Sequence, residues 1–458
     1  MNYREISINN SNSLMISVSG IRGIIPTGLN FENIIQFTLA YANVLKPKTI
    51  IIGRDSRPSG EYIENIVSGV LLGIGINVKT IGIVPTPTLK SIVKETKSDG
   101  GIIITASHNP LEWNAFKFVG KNGFFFDAKQ IQELKDFIQK GDLPLPKFSP
   151  KSIKSNSSES LIDLHFESVL KQIDLAKIKK RKFKVFVDAV NGGGSLVIPE
   201  FLKRLGCKVY ETYCTPDGTF PRPPEPTPKA LIKTAKLMKK TDAEIGFALD
   251  PDADRLIVLT PKRGVISEEY TLPLSVQSVL GRKGKDMVVN LSTSFLTQEA
   301  IARYGKKVHL AKVGEANVVS EMIQKKAFFG GEGNGGVIDP NISSFGRDSL
   351  AGIGHILNFL ASNKSSVDTE MDKIPKLYMQ KESISVQGRN LKDILEKLKD
   401  NFKGSKINEK DGIRFDFESS WVHVRASNTE PIIRIIAEAK NENDLQALLT
   451  KTKQRIES

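Results

Sequence analysis

Short apolar runs alternate with longer amphipathic stretches over most of this chain. Residues 49–53 and 77–83 are rich in β-branched side chains, which is typical of strands, and Pro58 opens a stretch between them whose apolar residues recur at helical spacing. The alternation returns with a strand predicted at 184–188 and again from Met287 onwards. Strands that alternate with helices predict α/β units with mixed or parallel sheets that are covered on both faces.

Two polar stretches interrupt this pattern and mark predicted boundaries. Residues 141–160 are rich in proline, lysine and serine and are typical of a linker, and residues 362–373 form the second polar stretch. The remaining C-terminal residues predict a strand, a helix, two or three strands and a final helix, which indicates a smaller α+β domain. The 458 residues would suit about three domains of roughly 150 residues each.

Three of the predicted strands end in loops that carry polar residues or glycine. These junctions are 102–105 into Ser107, 245–249 into Asp250, and Phe328-Phe329 into the glycine-rich loop 331–336. In open α/β sheets, ligands bind outside the carboxyl ends of the strands. Because the same arrangement recurs three times, ordinary turns explain the set less well than they explain any one of the loops.

Ser107 stands next to His108 and ten residues before Lys117. Asn109-Pro110 resembles the cap and first residue of a helix, so Ser107 would lie ahead of helical N–H groups that favour anions. We therefore predict that this serine carries or exchanges a phosphoryl group. An ordinary polar turn between a strand and a helix is the alternative.

The composition excludes several classes of protein. Two cysteines, Cys207 and Cys214, cannot build a disulfide framework, and the polar start of the chain lacks the pattern of a signal peptide. No stretch is apolar enough to predict a membrane span, so we expect a soluble, cytoplasmic protein. The net charge of +14 is spread over solvated lysines, and phosphorylated small molecules account for it as well as nucleic acid would. We therefore expect neither a nucleic-acid nor a membrane partner.

Asp250, Asp252 and Asp254 place three carboxylates at alternate positions after a buried strand. Oxygen ligands of this kind suit a hard cation such as Mg²⁺, and a cation would relieve the repulsion between the carboxylates. An acidic turn is the alternative. An EF-hand is disfavoured because the twelfth position of the loop is Pro261 instead of glutamate.

Two further loops and one arginine complete the set of candidate residues. Glu332, in the glycine-rich loop, could accept hydrogen bonds from sugar hydroxyls. Loop 425–431 combines a guanidinium, hydroxyls and an amide, which suits a phosphate monoester; its candidates are Arg425, Ser427, Asn428 and Thr429, with Arg434 beyond. Arg22, between two glycines, is the last candidate. Each loop taken alone is also consistent with a tight turn.

Together these motifs resemble those of the α-D-phosphohexomutase superfamily, over essentially the whole chain and in the family's order. The matching loops are 105–110 for phosphoserine, 250–255 for the metal, 331–336 for the sugar and 425–431 for the phosphate. The resemblance implies three related α/β mixed-sheet domains and a C-terminal α+β domain around a central cleft. The implied domains are 1–150, 151–260, 261–370 and 371–458.

The resemblance also implies a reaction in which phosphate moves between C6 and C1 of a hexose through a phosphoserine and a sugar bisphosphate. Ser107 would carry the phosphoryl group, and Mg²⁺ would bind the three aspartates and the Ser107 phosphate. Lys117 and His108 would handle the hydroxyl proton, and Arg22 and Arg255 would steady phosphate near the reacting end. The implied substrate-binding residues are Arg255, Glu332, Asn334, Arg425, Ser427, Asn428, Thr429 and Arg434.

Val313-Gly314-Glu315 and the loop 331–336 are most similar to the phosphoglucosamine mutase branch of this superfamily. That similarity implies interconversion of glucosamine 6-phosphate and glucosamine 1-phosphate. The loop departs from the family pattern, since Asn334 and Gly336 stand where members often carry serine and histidine. A phosphoglucomutase/phosphomannomutase of broad specificity is the alternative.

Two other classes remain open on the sequence alone. An aspartyl-phosphate phosphatase using Asp250 would explain the carboxylates but would leave the loops of Ser107 and Arg425 without a role. A non-catalytic relative that binds sugar phosphates would explain the altered sugar loop. The protein is expected to be a monomer or a homodimer.

Overall fold

The computed structural model describes residues 14–18, 20–141, 152–156, 159–302, 304–385, 391–426 and 432–457. Four β-sheets follow one another along the chain, and helices pack against them. This arrangement confirms the expected α/β architecture with mixed sheets in four domains. Every helix within the described residues is too short or too polar to cross a bilayer.

The first domain is built on a seven-stranded sheet with the spatial order β1-β2-β6-β5-β3-β4-β7. Its strands are β1 (Leu14–Ser17), β2 (Gly20–Ile24), β3 (Thr49–Arg54), β4 (Asn77–Ile83), β5 (Gly100–Ile104), β6 (Trp113–Gly120) and β7 (Lys154–Asn156). Its helices are α1 (Phe31–Leu45), α2 (Pro58–Gly73), α3 (Thr86–Glu95) and α4 (Ala128–Gln139). Because β7 pairs with β4, the first sheet includes part of the stretch expected to be a linker.

The second domain carries a five-stranded sheet with the order β12-β11-β10-β8-β9. Its strands are β8 (Lys184–Asp188), β9 (Lys208–Thr212), β10 (Ile245–Leu249), β11 (Leu256–Thr260) and β12 (Gly264–Val265). Its helices are α5 (Glu159–Leu170), α6 (Leu175–Arg181), α7 (Val197–Arg204) and α8 (Ile232–Met238). The sheet therefore extends a few residues past 260.

The third domain carries a four-stranded sheet with the order β14-β13-β15-β16. Its strands are β13 (Asp286–Asn290), β14 (Lys307–Ala311), β15 (Phe329–Glu332) and β16 (Gly336–Ile338). Its helices are α9 (Thr271–Val276), α10 (Phe295–Ala302), α11 (Glu315–Lys325), α12 (Ser349–Asn363) and α13 (Val367–Met371), with 3₁₀ turns at Glu268–Tyr270 and Gln277–Val279. The strand that was predicted to end at Phe328-Phe329 instead begins at Phe329 and continues into the glycine-rich loop.

The fourth domain packs two helices on an antiparallel sheet with the order β17-β21-β20-β19-β18. Its strands are β17 (Tyr378–Ser385), β18 (Lys406–Asn408), β19 (Ile413–Asp416), β20 (Ser420–Ala426) and β21 (Ile432–Ala439), and its helices are α14 (Leu391–Asn401) and α15 (Glu442–Glu457). Four described strands lie between the two helices, where the sequence indicated two or three.

The first three sheets share one four-stranded unit, although their sequences show no obvious repeat. In each unit three neighbouring strands are parallel and a fourth runs antiparallel at one side. The corresponding strand orders are β6-β5-β3-β4, β11-β10-β8-β9 and β16-β15-β13-β14. Ser107 and Asp250 follow the second strand of their units and Glu332 ends it, so the topology gives the three loops equivalent places.

The central strands form where the chain is apolar throughout. Ile50, Ile52, Ile102 and Ile104 lie fully buried in one core cluster between the first sheet and its helices. A parallel sheet that is covered on both faces needs such continuous runs of β-branched residues. This is why the strands predicted at these runs are present.

The predicted helix start at Asn109-Pro110 is wrong. Residues 107–112 form turns, and the chain returns as β6, antiparallel to β5, with Phe116 opposite Ile104. Asparagine followed by proline is as typical of a turn as of a helix start. Here the hairpin is favoured over a helix, because pairing with β5 buries Phe116 and Phe118 in the core.

Candidate active site

Ser107 lies in the turn between β5 and β6 and is only 4% exposed. Its backbone adopts φ = +50°, in the left-handed region. Its hydroxyl donates a hydrogen bond to Asp250 Oδ2 at 3.1 Å, across the interface of the first and second domains. The fold thus brings together the predicted phosphoryl carrier and the predicted metal loop.

A buried arginine that was not predicted holds this turn in shape. The guanidinium of Arg57 donates to the carbonyl oxygens of Ser107 (2.8 Å), Asn109 (2.7 Å) and Pro110 (2.5 Å). Asp55 Oδ2 accepts hydrogen bonds from Arg57 Nε at 3.1 Å and from the Thr105 hydroxyl at 2.6 Å. The polar residues after the predicted strand at 49–53 are the sequence signal that could have indicated this role.

Asp250, Asp252 and Asp254 are fully buried, and one oxygen of each lies within 4.8 Å of the others. Burial, reinforced by the charges of Asp252 and Asp254, raises the pKa of Asp250 well above its usual value. Burial also raises the pKa of Asp254. Three ionised carboxylates in this space repel one another unless a cation joins them.

Two side chains of the first domain bind Asp252. Asp252 Oδ2 accepts hydrogen bonds from Lys117 Nζ at 2.5 Å and from the Thr86 hydroxyl at 2.9 Å. Although burial opposes ionisation, the Lys117 ammonium holds the pKa of Asp252 below its usual range. Asp252 is therefore ionised at neutral pH, and it ties the metal loop to the first domain.

The donor set of the aspartate cluster fits a divalent cation. Asp252 Oδ1 and Asp254 Oδ1 are buried and have no hydrogen-bond partner among the described residues. A buried carboxylate oxygen without a donor is unfavourable in a folded protein. A hard cation that takes oxygen ligands would satisfy both atoms and reduce the repulsion between the carboxylates.

Three cationic or imidazole groups surround the Ser107 turn. Arg255 Nη2 lies 3.0 Å from His108 Nδ1, and Arg22 Nη1 donates to Asn109 Oδ1 at 3.0 Å. The nearby charge of Arg255, together with burial, lowers the pKa of His108 well below its ordinary value. His108 is therefore neutral, and its Nδ1 accepts the arginine N–H while Nε2 carries the proton.

Glu332 is buried at the end of β15, and its carboxylate is held from three sides. Its Oε1 accepts hydrogen bonds from Asn290 Nδ2 and from the Gly314 N–H, both at 2.8 Å, and its Oε2 accepts from Arg347 Nη1 at 3.0 Å. Asn334 Oδ1 accepts from the Gly336 N–H at 3.2 Å and so shapes the loop itself.

Glu315, the other carboxylate near the predicted sugar loop, is buried as well. It forms an ion pair with Lys90 and lies 3.4 Å from Arg347 Nε. Both carboxylates that could face an amino sugar are thus already bound by the protein's own donors.

The phosphate loop is only partly described. Arg425, at the end of β20, is buried; its Nε lies 3.5 Å from Asp411 Oδ2, and Arg434 stands opposite it on β21. Asp411 Oδ2 also accepts the Val313 N–H at 3.0 Å, which links this loop to the segment beside Glu332. The predicted phosphate ligands Ser427, Asn428 and Thr429 lie outside the described residues.

Four protein-family models match most of the chain. The model described as phosphoglucomutase/phosphomannomutase, alpha/beta/alpha domain I, matches residues 14–144. Those for alpha/beta/alpha domain II, alpha/beta/alpha domain III and the C-terminal domain of the same family match residues 163–264, 268–378 and 382–453. The order of the four matches follows the order of the four sheets.

Individual proteins are similar over nearly their whole length. A phosphoglucomutase/phosphomannomutase of Thermococcus kodakarensis is 34% identical over 439 residues, which cover 94% of this chain and 95% of that protein. A phosphoglucosamine/phosphogalactosamine mutase of Sulfurisphaera tokodaii is 32% identical over 451 residues, 97% of this chain and 99% of that protein. The crystal structure of a phosphoglucomutase/phosphomannomutase family protein from Burkholderia thailandensis matches with a TM-score of 0.82 and 25% identity, and covers 96% of this chain and 98% of that one.

Proposed function

This chain belongs to the phosphoglucomutase/phosphomannomutase family, a group of phosphohexomutases, and we propose that it interconverts glucosamine 6-phosphate and glucosamine 1-phosphate. It is an isomerase that moves a phosphoryl group within a sugar phosphate. The sugar, the phosphoserine and the metal are parts of the proposal.

The hydrogen bond from Ser107 to Asp250 is the observation that carries the mechanism. A phosphoryl carrier needs a hydroxyl at the edge of a cation site, because the transferring group develops charge on its oxygens. Ser107 meets this condition with three buried aspartates beside it. Mg²⁺ on Asp250, Asp252 and Asp254 would neutralise that charge.

In the first half-reaction, the bond between phosphorus and the Ser107 oxygen breaks while a bond to a sugar hydroxyl oxygen forms. The sugar hydroxyl gives up its proton, and the Ser107 oxygen ends as a hydroxyl. The resulting sugar bisphosphate reorients in the site. Its other phosphoryl group is then transferred to Ser107. The second transfer restores the phosphoserine and leaves a hydroxyl at the sugar position that held the phosphate at the start.

Lys117 and His108 both lie beside the groups that take part in the transfer. Lys117 Nζ lies 2.5 Å from Asp252, on the same carboxylate cluster as the Ser107 hydroxyl. His108 is neutral, and Nδ1, its lone-pair nitrogen, lies 3.0 Å from Arg255 Nη2 and 3.4 Å from the Ser107 hydroxyl oxygen. We therefore assign to the Lys117 ammonium the protonation of the Ser107 oxygen as its bond to phosphorus breaks, and to neutral His108 the uptake of the sugar hydroxyl proton.

The non-reacting phosphate would bind at the fourth domain. Arg425 is buried with its Nε free of hydrogen-bond partners among the described residues, although it lies near Asp411. A guanidinium with unused N–H groups suits the oxygens of a phosphate. Since the two phosphates exchange places between half-reactions, the same group would serve both.

Different observations favour each of the two candidate sugar specificities. The named activity of the Sulfurisphaera relative and the segment 313–315 favour glucosamine phosphate. The contacts of Glu332 and Glu315 favour the second candidate, a phosphoglucomutase/phosphomannomutase of broad specificity, because both carboxylates already have cationic partners. An amino group at C2 would gain less from a carboxylate that is already paired.

The deciding experiment compares kcat/KM for glucosamine 6-phosphate, glucose 6-phosphate and mannose 6-phosphate, with a sugar bisphosphate present to load Ser107. The proposal expects the highest value for glucosamine 6-phosphate. A higher value for either neutral sugar would assign the second candidate. Mass spectrometry of the loaded protein separately tests the phosphoserine, since a stable phosphate on Ser107 excludes the aspartyl-phosphate alternative.

A further inference from the structure

Arg347 contacts three carboxylates that come from separate segments of the chain. Its Nη2 donates to Asp254 Oδ2 at 2.5 Å, its Nη1 donates to Glu332 Oε2 at 3.0 Å, and its Nε lies 3.4 Å from Glu315 Oε2. The first is in the metal loop of the second domain, and the other two are in the third domain. A planar guanidinium with its donors in a fixed fork fits such an arrangement, whereas an ammonium does not.

The position of Arg347 is set by its neighbour. Asp348 caps α12 by accepting the N–H groups of Leu350 and Ala351, and its other oxygen accepts from Ser344 and lies 2.8 Å from His165 of the second domain. The backbone of Arg347 is therefore fixed at a helix start, next to a buried polar network.

Lys90 neutralises the charge of Glu315, the third carboxylate beside Arg347. It reaches from α3 of the first domain to form an ion pair with Glu315. Gly346 makes room for this pair, because a Cβ there would overlap Lys90 Nζ and Glu315 Oε1. With Glu315 neutralised in this way, the Nη1 and Nη2 donors of Arg347 are left for Asp254 and Glu332.

Glu332 has one acceptor position left for a ligand. A carboxylate offers about four lone-pair positions, two on each oxygen. On Oε1 both are taken, by Asn290 and by the Gly314 N–H, whereas Oε2 accepts from Arg347 alone among the described residues. The remaining position is thus on the oxygen that Arg347 holds.

We propose that Arg347 is a positioning residue that couples the sugar loop to the metal loop, by aiming the last acceptor position of Glu332 at a sugar hydroxyl at a fixed spacing from Asp254. This inference rests on the proposed function of the same site. It assigns to Arg347 the placement of the sugar ring, and to Glu332 the direct contact with the ligand. Both half-reactions would depend on it, because the sugar binds in two orientations before the same loop.

A double-mutant cycle of Arg347→Met and Glu332→Gln tests this coupling. Each single variant should lower kcat/KM for the preferred hexose phosphate by roughly ten- to a hundred-fold, the range expected when a hydrogen bond to a charged group is lost. The double variant should fall no further than the less active single variant, because both changes remove the same contact. Independent, multiplying losses would overturn the inference.

A matched control separates positioning from stability. Arg282 also spans two domains, since it donates to Asp339 at 2.8 Å and to Gln172 at 3.0 Å, and it has a similar exposure. Arg282→Met should lower the melting temperature and leave KM and kcat unchanged. If Arg347→Met shows this same pattern, Arg347 is a structural residue only.

Calorimetry and a conservative variant complete the test. Glucosamine 6-phosphate, titrated in the presence of a chelator, should bind Arg347→Met and Arg347→Lys more weakly than wild type by a similar factor; full rescue by lysine would overturn the inference. Should Arg347→Met not fold, Arg347→Lys takes its place in the cycle. Wild-type protein that neither binds nor converts a hexose phosphate would overturn the proposed function as well, whereas an active wild type with independent losses overturns this inference alone.

Discussion

Ser107 combines a strained backbone with a hydroxyl that faces a carboxylate. Its φ of +50° lies in a region that costs a non-glycine residue about 1–2 kcal/mol of conformational free energy. Arg57 donates a hydrogen bond to the Ser107 carbonyl and so helps to hold the backbone in this conformation. Such strain is kept where a side chain must point in one direction. Here that direction is towards Asp250.

Replacing Ser107 by alanine should abolish nearly all turnover while substrate still binds, because alanine removes only the phosphoryl carrier. Turnover is measured with a coupled assay and binding by calorimetry. Ser68→Ala is the matched control, since Ser68 is a buried serine on α2 whose hydroxyl has no partner within the described ranges. Near wild-type turnover in Ser107→Ala would remove this serine from the mechanism.

Asp252→Asn should lower the affinity for Mg²⁺ by about tenfold or more and lower the rate with it. The substitution removes a charge from the metal cluster and takes the ionised partner from Lys117. Mg²⁺ titration by calorimetry measures the first effect without turnover. Asp339→Asn, which alters a buried aspartate paired with His355 and Arg282, should leave the Mg²⁺ affinity unchanged. Full activity after exhaustive chelation would contradict a metal role for this cluster.

At the scale of elements, equivalent strand ends deliver the reacting groups. The second strand of each repeated unit leads to Ser107, Asp250 or Glu332, and its central neighbour ends at or just before a polar residue that anchors a nearby loop. Asp55 pairs with Arg57, Asp188 pairs with Arg222, and Asn290 donates to Glu332. The site is therefore built from one architectural position used three times.

Arg57→Met should destabilise the first domain by roughly 3–5 kcal/mol, because Asp55 would remain buried without its cation. It should also lower kcat, since the carbonyl groups of the Ser107 turn lose their donors. Thermal melting and steady-state kinetics measure the two effects. Arg282→Met should show a stability loss without the loss of kcat. A folded Arg57→Met variant with wild-type kcat would contradict this account of the turn.

Local sequence sufficed where a strand is a short run of apolar or β-branched residues, as at Asn77–Ile83, Lys184–Asp188 and Ile245–Leu249. It failed at Asn109-Pro110, where the hairpin depends on pairing with β5. Arg57 and Arg347 were missed because the Ser107 carbonyl and the Asp254 carboxylate to which they donate lie 50 and 93 residues away along the chain. The order of motifs indicated which loops meet, but the contacts that hold them together are invisible to local patterns.

At the scale of the whole molecule, the fourth domain contacts the third through polar groups, of which Glu269, His423 and Glu438 are buried. Lys381 on β17 donates to Glu268 and Glu269, and Glu438 accepts the Phe295 N–H at 2.8 Å. The Ser292 hydroxyl lies 2.9 Å from His423 Nδ1. Burial lowers the pKa of His423 to about 4, so this imidazole is neutral. Its Nδ1 therefore accepts a hydrogen bond from the Ser292 hydroxyl.

Glu269 makes this interface sensitive to pH. Burial, against which the charge of Lys381 acts only in part, raises its pKa from 4.5 to about 7, and its Oε2 also accepts the Ser294 N–H at 2.9 Å. Glu268 and Arg414 are the other charged groups near it. A Cβ on Gly333 would overlap its carboxylate, so the group lies directly behind the sugar loop.

The sign of the pH effect is set by proton binding. Between pH 4.5 and about 7 the folded protein keeps a proton on Glu269 that the unfolded chain releases, so stability from this group falls as the pH rises through that window. At about 1.4 kcal/mol per pKa unit, the loss is of the order of 3 kcal/mol. Below the window both states are protonated, and above it both are ionised.

Glu269→Gln should therefore flatten the pH dependence of the melting temperature between pH 5 and 7. As the pH rises, the melting temperature of the variant should increase relative to that of wild type. Glu268→Gln is the matched control on the same lysine: although burial opposes it, Lys381 lowers the pKa of Glu268, so its contribution changes only below pH 4.5. The difference in melting temperature between Glu268→Gln and wild type should stay constant between pH 5 and 7. Melting curves of the three proteins across this range measure the effect, and parallel curves for wild type and Glu269→Gln would show that Glu269 does not titrate in this window.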